Sequence, residues 1–267
     1  MVLVQGSGAS DCNEAIGGCV PFADIAHGLA QLGVASLRYD KRTYTYASTY
    51  TEEQINAMTV QEEVIDDALL AVETLAKTPG IDADAIVLVG HSLGGMLAPR
   101  IAAQSGKVAG IVSLAGSARG YLDIVYDQNM AQTDDASQQN VIKKEYKKID
   151  KLKNMKDSDT LFGIPVPYLK DLYAHPVEES LAQLDIPILV MQGENDFQMD
   201  TADYKSWQKA LENYAGEKEF VLWPELNHLF VRDTAFKRRG TIAEYLQEGH
   251  VDQAVTDKIA SWMLKMN

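Results

Sequence analysis

The sequence predicts an α/β fold in which a mostly parallel sheet is flanked by helices. Short, continuously apolar runs alternate along the chain with segments whose apolar residues recur at helical spacing. Such uninterrupted apolar runs are typical of parallel strands, which helices bury from both sides. The chain has 267 residues, of which 46% are hydrophobic, so we expect a single domain, residues 1–267, with a large core.

The elements of the first half follow from apolar spacing and from terminating residues. Phe22, Ile25 and Leu29 recur at helical spacing, and Gly33 is a typical residue just after a helix end. The Pro-Gly pair at residues 79–80 ends a second, longer amphipathic helix. The predicted strands lie at residues 2–4, 34–39, 86–89 and 108–114, and the predicted helices at residues 22–32 and 60–77.

The pattern changes between residues 117 and 184, where no strong strand is predicted. In open α/β sheets ligands bind beyond the carboxyl ends of the strands, and an insertion that follows a strand lies on that side. We therefore expect residues 117–184 to form a helical cap insertion over the strand ends. Helices are predicted at residues 121–130, 141–155, 201–214 and 251–263, and strands at residues 186–191 and 219–223.

The pentapeptide Gly-His-Ser-Leu-Gly at residues 90–94 lies between a predicted strand and a helix expected at residues 96–104. In this context G-x-S-x-G is the signature of a nucleophile elbow, in which Ser92 occupies a strained turn with its hydroxyl exposed. The glycines leave room where strand and helix pack closely. The N–H of Leu93 then lies at a helix N-terminus, which favours negative charge. The alternative is a glycine-rich turn with an incidental serine, and the context favours the catalytic interpretation.

A serine hydroxyl needs a base to become a nucleophile, and the base needs an orienting acid. Of the five histidines, His228 lies in a loop after a predicted strand, and Asp196 follows an earlier strand in the same way. The order Ser92, Asp196, His228 is one of the known chain orders of a catalytic triad. The alternatives are Glu194 or Asp200 as the acid and His250 as the base, or a turn aspartate and a surface histidine without catalytic roles.

Charge and composition exclude several classes of function. The net charge of −14 argues against nucleic acid and against anionic membranes as partners. There is no apolar run of the roughly 18 residues that a membrane helix needs. No signal-peptide pattern opens the chain either, so we expect a cytoplasmic protein. Cys12 and Cys19 lack metal-binding spacing; they are either bridged across a short loop or, as we favour, two free thiols.

Five stretches together resemble a known family and span nearly the whole chain. They are LVQGSG at 3–8, LRYDKR at 37–42, GHSLGG at 90–95, LVMQGENDFQM at 189–199 and PELNHLF at 224–230. With them the sequence resembles a bacterial serine hydrolase of the α/β-hydrolase superfamily, in its esterase, acyl-thioesterase and prolyl-oligopeptidase-like branch. Many hydrolases share GHSLGG, whereas the combination of QGENDFQ with LNHLF is more specific.

The resemblance implies an α/β-hydrolase fold with a shortened N-terminus and a carboxylic ester hydrolase that works through an acyl-enzyme. It assigns Ser92 as the nucleophile, His228 as the base and Asp196 as the acid that orients it. The backbone N–H groups of Ser7 and Leu93 would form the oxyanion hole. Losing one such donor costs about 10²- to 10³-fold in rate in a comparable system.

The resemblance implies no metal and no organic cofactor, and small acyl or aromatic, feruloyl-like esters as substrates. Gln5 occupies a position where relatives usually carry histidine. An acyl-CoA thioesterase and a serine peptidase use the same triad and are alternatives. A binding module without activity is an alternative of another class, because a fold does not fix a function. The aromatic residues expected to line the substrate pocket are Tyr121, Tyr126, Phe162, Tyr168 and Phe197.

The beginning of the chain bears on assembly. In this superfamily one or two antiparallel strands usually precede the strand that leads to the oxyanion loop. Here that strand is predicted at residues 2–4, so we expect an uncovered sheet edge with unpaired N–H and C=O groups. Because closed two-fold dimers are the commonest oligomers, we expect a homodimer that covers this edge.

Overall fold

A five-stranded parallel sheet forms the centre of the computed structural model, which describes residues 1–232 and 241–266. The sheet has the order β1-β2-β3-β6-β7, and each pair of neighbours is parallel. The two short strands β4 and β5 form a separate antiparallel hairpin. The strands are β1 (Val2–Val4), β2 (Val87–His91), β3 (Gly110–Leu114), β4 (Thr160–Leu161), β5 (Ile164–Pro165), β6 (Ile188–Gly193) and β7 (Lys218–Trp223).

Helices connect the strands. No helix within residues 1–232 and 241–266 is long and apolar enough to cross a membrane. The α-helices are α1 (Pro21–Gln31), α2 (Arg42–Thr45), α3 (Glu52–Ala57), α4 (Asp66–Ala76), α5 (Leu93–Ser105), α6 (Tyr121–Ala131), α7 (Ala136–Tyr146), α8 (Val166–Ala174), α9 (Val177–Leu181), α10 (Thr201–Ala210) and α11 (Gln253–Met263). Short 3₁₀ helices occupy Ala47–Thr49, Ala83–Ala85, Lys147–Asn154 and Ile242–Leu246, and Gln61–Ile65 is a π-helix.

Alternate residues of each strand enter different hydrophobic cores, because successive side chains of a strand point to opposite faces of the sheet. Val87 and Val89 belong to the core that α1 and α11 cover. Leu88, which lies between them, belongs to the core that α4 and α5 cover. Both faces are therefore apolar and buried, and the predicted parallel sheet flanked by helices is confirmed.

The strand predicted at residues 34–39 is wrong in extent, since only Leu37 pairs with β1, as an isolated bridge to Val2. Its N–H donates to the Met1 carbonyl at 2.8 Å, and its carbonyl accepts from Leu3 at 3.0 Å. Beyond Leu37 the backbone binds a side chain instead, because the Tyr39 carbonyl accepts from the Gln5 amide. The segment therefore runs beside β1 without extending the sheet as a regular strand.

This segment also corrects the expectation that β1 lies at an uncovered sheet edge. Leu37 covers the outer side of β1, and the N-terminal amino group of Met1 donates to the Ala35 carbonyl at 2.6 Å. The homodimer stays a prediction, and the edge of β1 no longer supports it.

Two long helices predicted from periodicity are interrupted in the structure. The helix predicted at 60–77 begins as the π-helix Gln61–Ile65 and becomes α4 only at Asp66. The Gln61 N–H donates to the Asp171 carboxylate at 2.9 Å, a contact from a distant helix that periodicity does not report. The helix predicted at 141–155 is divided between α7 and the 3₁₀ turns that follow it.

The chain between β3 and β6 forms a helical insertion with a small apolar core of its own. This core contains Leu122, Leu152, Leu161, Val166 and Leu169, all of them buried. An ion pair ties the insertion to the central fold: buried Arg100 of α5 donates to Asp171 of α8 at 2.9 Å. The same guanidinium donates to the Gln61 side chain at 2.8 Å.

Candidate active site

Ser92 lies in the turn between β2 and α5 and adopts a left-handed backbone conformation, with φ at 53°. This conformation is strained for a residue with a side chain. The surrounding packing holds it, since the Ser92 N–H donates to the Leu114 carbonyl at 2.8 Å. A Cβ at Gly90 would lie 2.2 Å from the Gly94 carbonyl oxygen, so glycine is required for this close turn. The turn has the strand–turn–helix form predicted from the pentapeptide.

Asp196 and His228 form a buried hydrogen-bonded pair. His228 Nδ1 lies 2.7 Å from Asp196 Oδ2, and both side chains are almost completely buried. Three further donors fix the carboxylate at 2.8 Å each, namely the N–H groups of Gln198 and Met199 and the side-chain amide of Gln192. A neutral histidine whose Nδ1–H donates to a carboxylate has its Nε2 available to accept a proton.

His91 directly precedes Ser92 and contacts the loop that carries His228, which we call the histidine loop. Its Nε2 lies 2.9 Å from the His228 carbonyl oxygen, and the two imidazole rings are 4.6 Å apart. The Asn227 side chain holds the loop from its other side by accepting from the N–H groups of Leu229 and Val231 at 3.0 and 3.1 Å. The fold thus brings the loop that carries His228 beside the turn of Ser92.

The rival acids and the rival base are all exposed. Glu194 and Asp200 are both exposed. Asp200 caps α10 by accepting from the Ala202 N–H at 2.6 Å. His250 is also exposed, and its Nδ1 lies 3.2 Å from Asp24. The geometry therefore favours Asp196 and His228 over these alternatives.

Residues 5–14 form the loop that carries Ser7, and this loop passes directly against the elbow. A Cβ built on Gly6 would lie 3.1 Å from the Cβ of Ser92. The Gly6 N–H donates to Glu14 Oε1 at 2.6 Å. Gln5 is buried and its amide donates to the Tyr39 carbonyl, so it anchors the start of the loop. The loop that carries Ser7 therefore lies beside the turn formed by Ser92 and Leu93.

Two buried charged residues under this loop were not anticipated from the sequence. Lys41 Nζ donates to the carbonyl groups of Gly6 and Gly8 and lies 3.0 Å from Glu63 Oε1. Charged residues are seldom buried, and a lysine next to an arginine in a polar stretch gives no signal of burial.

Glu14 and His91 form a second unanticipated pair, with 3.0 Å between Glu14 Oε1 and His91 Nδ1. Burial by itself lowers the pKa of His91, but contact with the Glu14 carboxylate and the His228 carbonyl raises it, and the net pKa is raised. Since Glu14 Oε1 also accepts from Gly6, this carboxylate joins the Ser7 loop to the histidine loop through His91.

The five aromatic residues predicted to line the pocket are distributed over different surroundings. The Tyr121 hydroxyl lies 3.2 Å from Ser7 Oγ, and Phe197 directly follows Asp196 in the chain. The Tyr168 hydroxyl donates to Glu63 Oε2 at 2.7 Å. Tyr126 packs on Tyr146, with ring centres 4.5 Å apart, and Phe162 packs against the apolar core of the insertion.

A cavity of about 230 Å³ lies between α6 and the loop that carries Asp196. The Gln128 amide of α6 donates to the Gln198 carbonyl at 2.9 Å and so joins the insertion to this loop. Residues that line the cavity include Arg119, Asp127, Asp196, Phe197, Gln198 and Asp203.

No group of three histidine, cysteine, aspartate or glutamate side chains within residues 1–232 and 241–266 could hold a metal ion. Cys12 and Cys19 are both free thiols, and no disulfide joins them.

Comparison with known proteins identifies the family. Residues 25–249 match the model of the prolyl oligopeptidase family, Peptidase_S9. The chain belongs to this family. It is also 35% identical to the esterase EstD of Thermotoga maritima over 267 residues, 99% of this chain and 62% of the relative. The chain thus spans about three fifths of the length of this curated relative.

Solved structures show the same fold. Est1E from Butyrivibrio proteoclasticus superimposes with a TM-score of 0.61 at 17% identity, over 99% of this chain and 86% of that chain. The α/β hydrolase GrgF from a Penicillium species gives a TM-score of 0.59 at 17% identity, over 99% of this chain and 89% of that chain. The predicted α/β-hydrolase fold is confirmed.

We expect Glu14→Gln to lower the pKa of His91, because burial then acts without a neighbouring carboxylate. A histidine whose folded pKa is raised stabilises the fold below its unfolded pKa of about 6.5, and this stabilisation is lost as the pH rises through the folded pKa. The free energy of unfolding lost in Glu14→Gln should therefore be larger at about pH 6 than at about pH 9.

Urea unfolding at the two pH values and an NMR titration of His91 measure this effect. Glu248→Gln is the control, because Glu248 lies 3.6 Å from the exposed His250 and both side chains are largely solvated. An equal loss of stability at both pH values in Glu14→Gln would contradict the raised pKa of His91.

Proposed function

We propose that the protein is a serine hydrolase that cleaves carboxylic esters. The observation that carries this proposal is the buried hydrogen bond of 2.7 Å between Asp196 and His228, beside the strained turn of Ser92. Membership in the prolyl oligopeptidase family and 35% identity to an esterase also support it. A binding module without activity would not need a carboxylate with four hydrogen-bond donors that orients a histidine next to a strained serine.

In the proposed reaction Ser92 Oγ attacks the ester carbonyl carbon while its proton passes to His228 Nε2. The Ser7 and Leu93 N–H groups donate to the oxyanion of the tetrahedral intermediate. The intermediate collapses, and the alcohol leaves with the proton from His228. Water then attacks the acyl-enzyme, His228 takes its proton, and the carboxylic acid is released with Ser92 restored. Asp196 holds the imidazole orientation and stabilises its charged form.

We further propose small acyl or aromatic esters as the substrates, and the residues 117–184 as the cap that selects among them. Tyr121 of the insertion lies at the Ser7 loop, and Gln128 bonds the loop that carries Asp196. The insertion thus contacts both sides of the site. Assays with p-nitrophenyl acetate, a feruloyl ester, an acyl-CoA and a peptide anilide separate the ester from the thioester and peptide alternatives.

Replacing the nucleophile tests the proposal directly. We expect Ser92→Ala to lower kcat on p-nitrophenyl acetate by about 10⁶-fold, as loss of a triad nucleophile does in a comparable hydrolase. Its melting temperature should not fall. Ser105→Ala at the other end of α5 is the matched control and should keep full activity. Retention of about a tenth of kcat in Ser92→Ala would contradict the assignment.

The acid is tested by comparing three isosteric amides. Asp196→Asn should lower kcat by about 10⁴-fold, because an amide no longer holds the productive imidazole tautomer. Glu194→Gln and Asp200→Asn should have little effect, since both side chains are exposed. Steady-state kinetics of the three variants decides the assignment, and a larger loss in Glu194→Gln would transfer the role to Glu194.

The cap is tested at two tyrosines of the same helix, α6. We expect Tyr121→Leu to change the ranking of kcat/KM among acetyl, butyryl and feruloyl esters, because its hydroxyl lies at the Ser7 loop. Tyr126→Leu is the control, since its ring packs on Tyr146 inside the insertion. An unchanged ranking in Tyr121→Leu, with thermal stability altered as in the control, would contradict the role of the insertion.

A further inference from the structure

Lys41 is a buried cation whose ammonium group has three acceptors. It is 1% exposed, and its Nζ donates to the Gly6 carbonyl at 3.0 Å and to the Gly8 carbonyl at 2.8 Å. Glu63 Oε1 lies 3.0 Å from the same nitrogen. The two carbonyl groups belong to the residues on either side of Ser7. One ammonium group therefore forms hydrogen bonds with the loop both before and after the proposed oxyanion donor.

The direction of the Ser7 N–H follows from the geometry of the peptide bond. The Gly6 carbonyl and the Ser7 N–H belong to one planar trans unit, in which the C=O and N–H bonds point in opposite directions. Because Lys41 draws the Gly6 oxygen toward itself, the Ser7 N–H points away from Lys41. The preceding peptide unit is fixed as well, since Glu14 accepts from the Gly6 N–H at 2.6 Å.

The charge of Lys41 also polarises this peptide unit. A cation bound to a carbonyl oxygen withdraws electron density from the amide, which makes its N–H a stronger donor, as in other chains of hydrogen bonds in a medium of low dielectric constant. Removing two opposite charges from water is costly unless both are paired and hydrogen-bonded. Here the Tyr168 hydroxyl donates to Glu63 Oε2 at 2.7 Å and so completes the pairing.

We propose that Lys41, with Glu63 as its counter-ion, is the positioning residue of the oxyanion hole, because it fixes and polarises the peptide unit that carries the Ser7 N–H. This inference rests on the proposed serine hydrolase function. Lys41 itself does not touch the substrate. A lysine with a merely structural role would contribute to folding without any preference for the transition state over the ground state.

Lys41→Met tests the inference, because it keeps the length of the side chain and removes the charge and the donors. We expect kcat on p-nitrophenyl acetate to fall by about 10²-fold, the effect of a small displacement of a catalytic group, while KM changes little. Affinity for a trifluoromethyl ketone, which forms a tetrahedral oxyanion on serine, should fall by a similar factor of about 10².

Lys258→Met is the matched control, because Lys258 is another lysine paired with a carboxylate, Glu219, and this pair joins α11 to β7 away from the Ser7 loop. Its kcat and its affinity for the ketone should stay close to those of the wild type. Unchanged affinity for the ketone in a folded Lys41→Met variant would overturn the inference. Equal losses of affinity in Lys41→Met and Lys258→Met would overturn it as well.

Glu63→Gln covers the case in which Lys41→Met fails to fold. It preserves the shape of the side chain and an acceptor for Lys41 but removes the counter-charge. We expect about tenfold weaker binding of the ketone, since a charged partner holds the ammonium more firmly than a neutral one. Unchanged binding would overturn the inference.

Labelling of the wild type with a fluorophosphonate separates this inference from the proposed function. Absence of labelling at Ser92 would overturn the proposed function and the inference together. Labelling of the wild type combined with wild-type affinity for the ketone in the variants would overturn the inference alone.

Discussion

The close approach of α5 to the first two strands is the constraint on which the site depends. A Cβ at Gly94 would lie 2.2 Å from the Val4 carbonyl oxygen, so helix and strand touch backbone to backbone. This contact places the end of β1, and with it the loop that carries Ser7, directly beside Ser92. The turn between β2 and α5, next to this contact, has the left-handed conformation at Ser92. Ser92 and the loop that carries Ser7 are therefore positioned by the same packing.

Much of the fold could be predicted from the sequence, because apolar pattern reports burial directly. The central strands have apolar residues on both faces and were recognised near their true bounds. Residues 34–39 are less uniformly apolar, since they include Ser36 and Arg38, and beyond Leu37 the backbone binds a side chain rather than a neighbouring strand. The π-helix Gln61–Ile65 could not be predicted from the apolar periodicity either, since the Asp171 carboxylate of α8 accepts a hydrogen bond from the Gln61 N–H.

The candidate site could be predicted only where the chemistry of a site leaves a local pattern in the sequence. Ser92 is marked by its pentapeptide, and Asp196 and His228 by their positions after strands in the expected order. Glu14 and Lys41 carry no such mark, because a charged residue in a polar loop is usually solvated. Their burial arises from the folding of the Ser7 loop over residue 41, which brings together groups 33 and 35 residues apart in the chain.

The pairing of β1 with β2 has a consequence for how the protein folds. Val2 pairs with Leu88, and the contact between His91 and His228 joins residues 137 positions apart. Contacts of such long sequence separation require large loops to close before they contribute any stability, which makes folding slow. No short fragment of the chain contains the elbow, the Ser7 loop and the histidine together. The candidate site is therefore assembled late in folding, when the parallel sheet is complete.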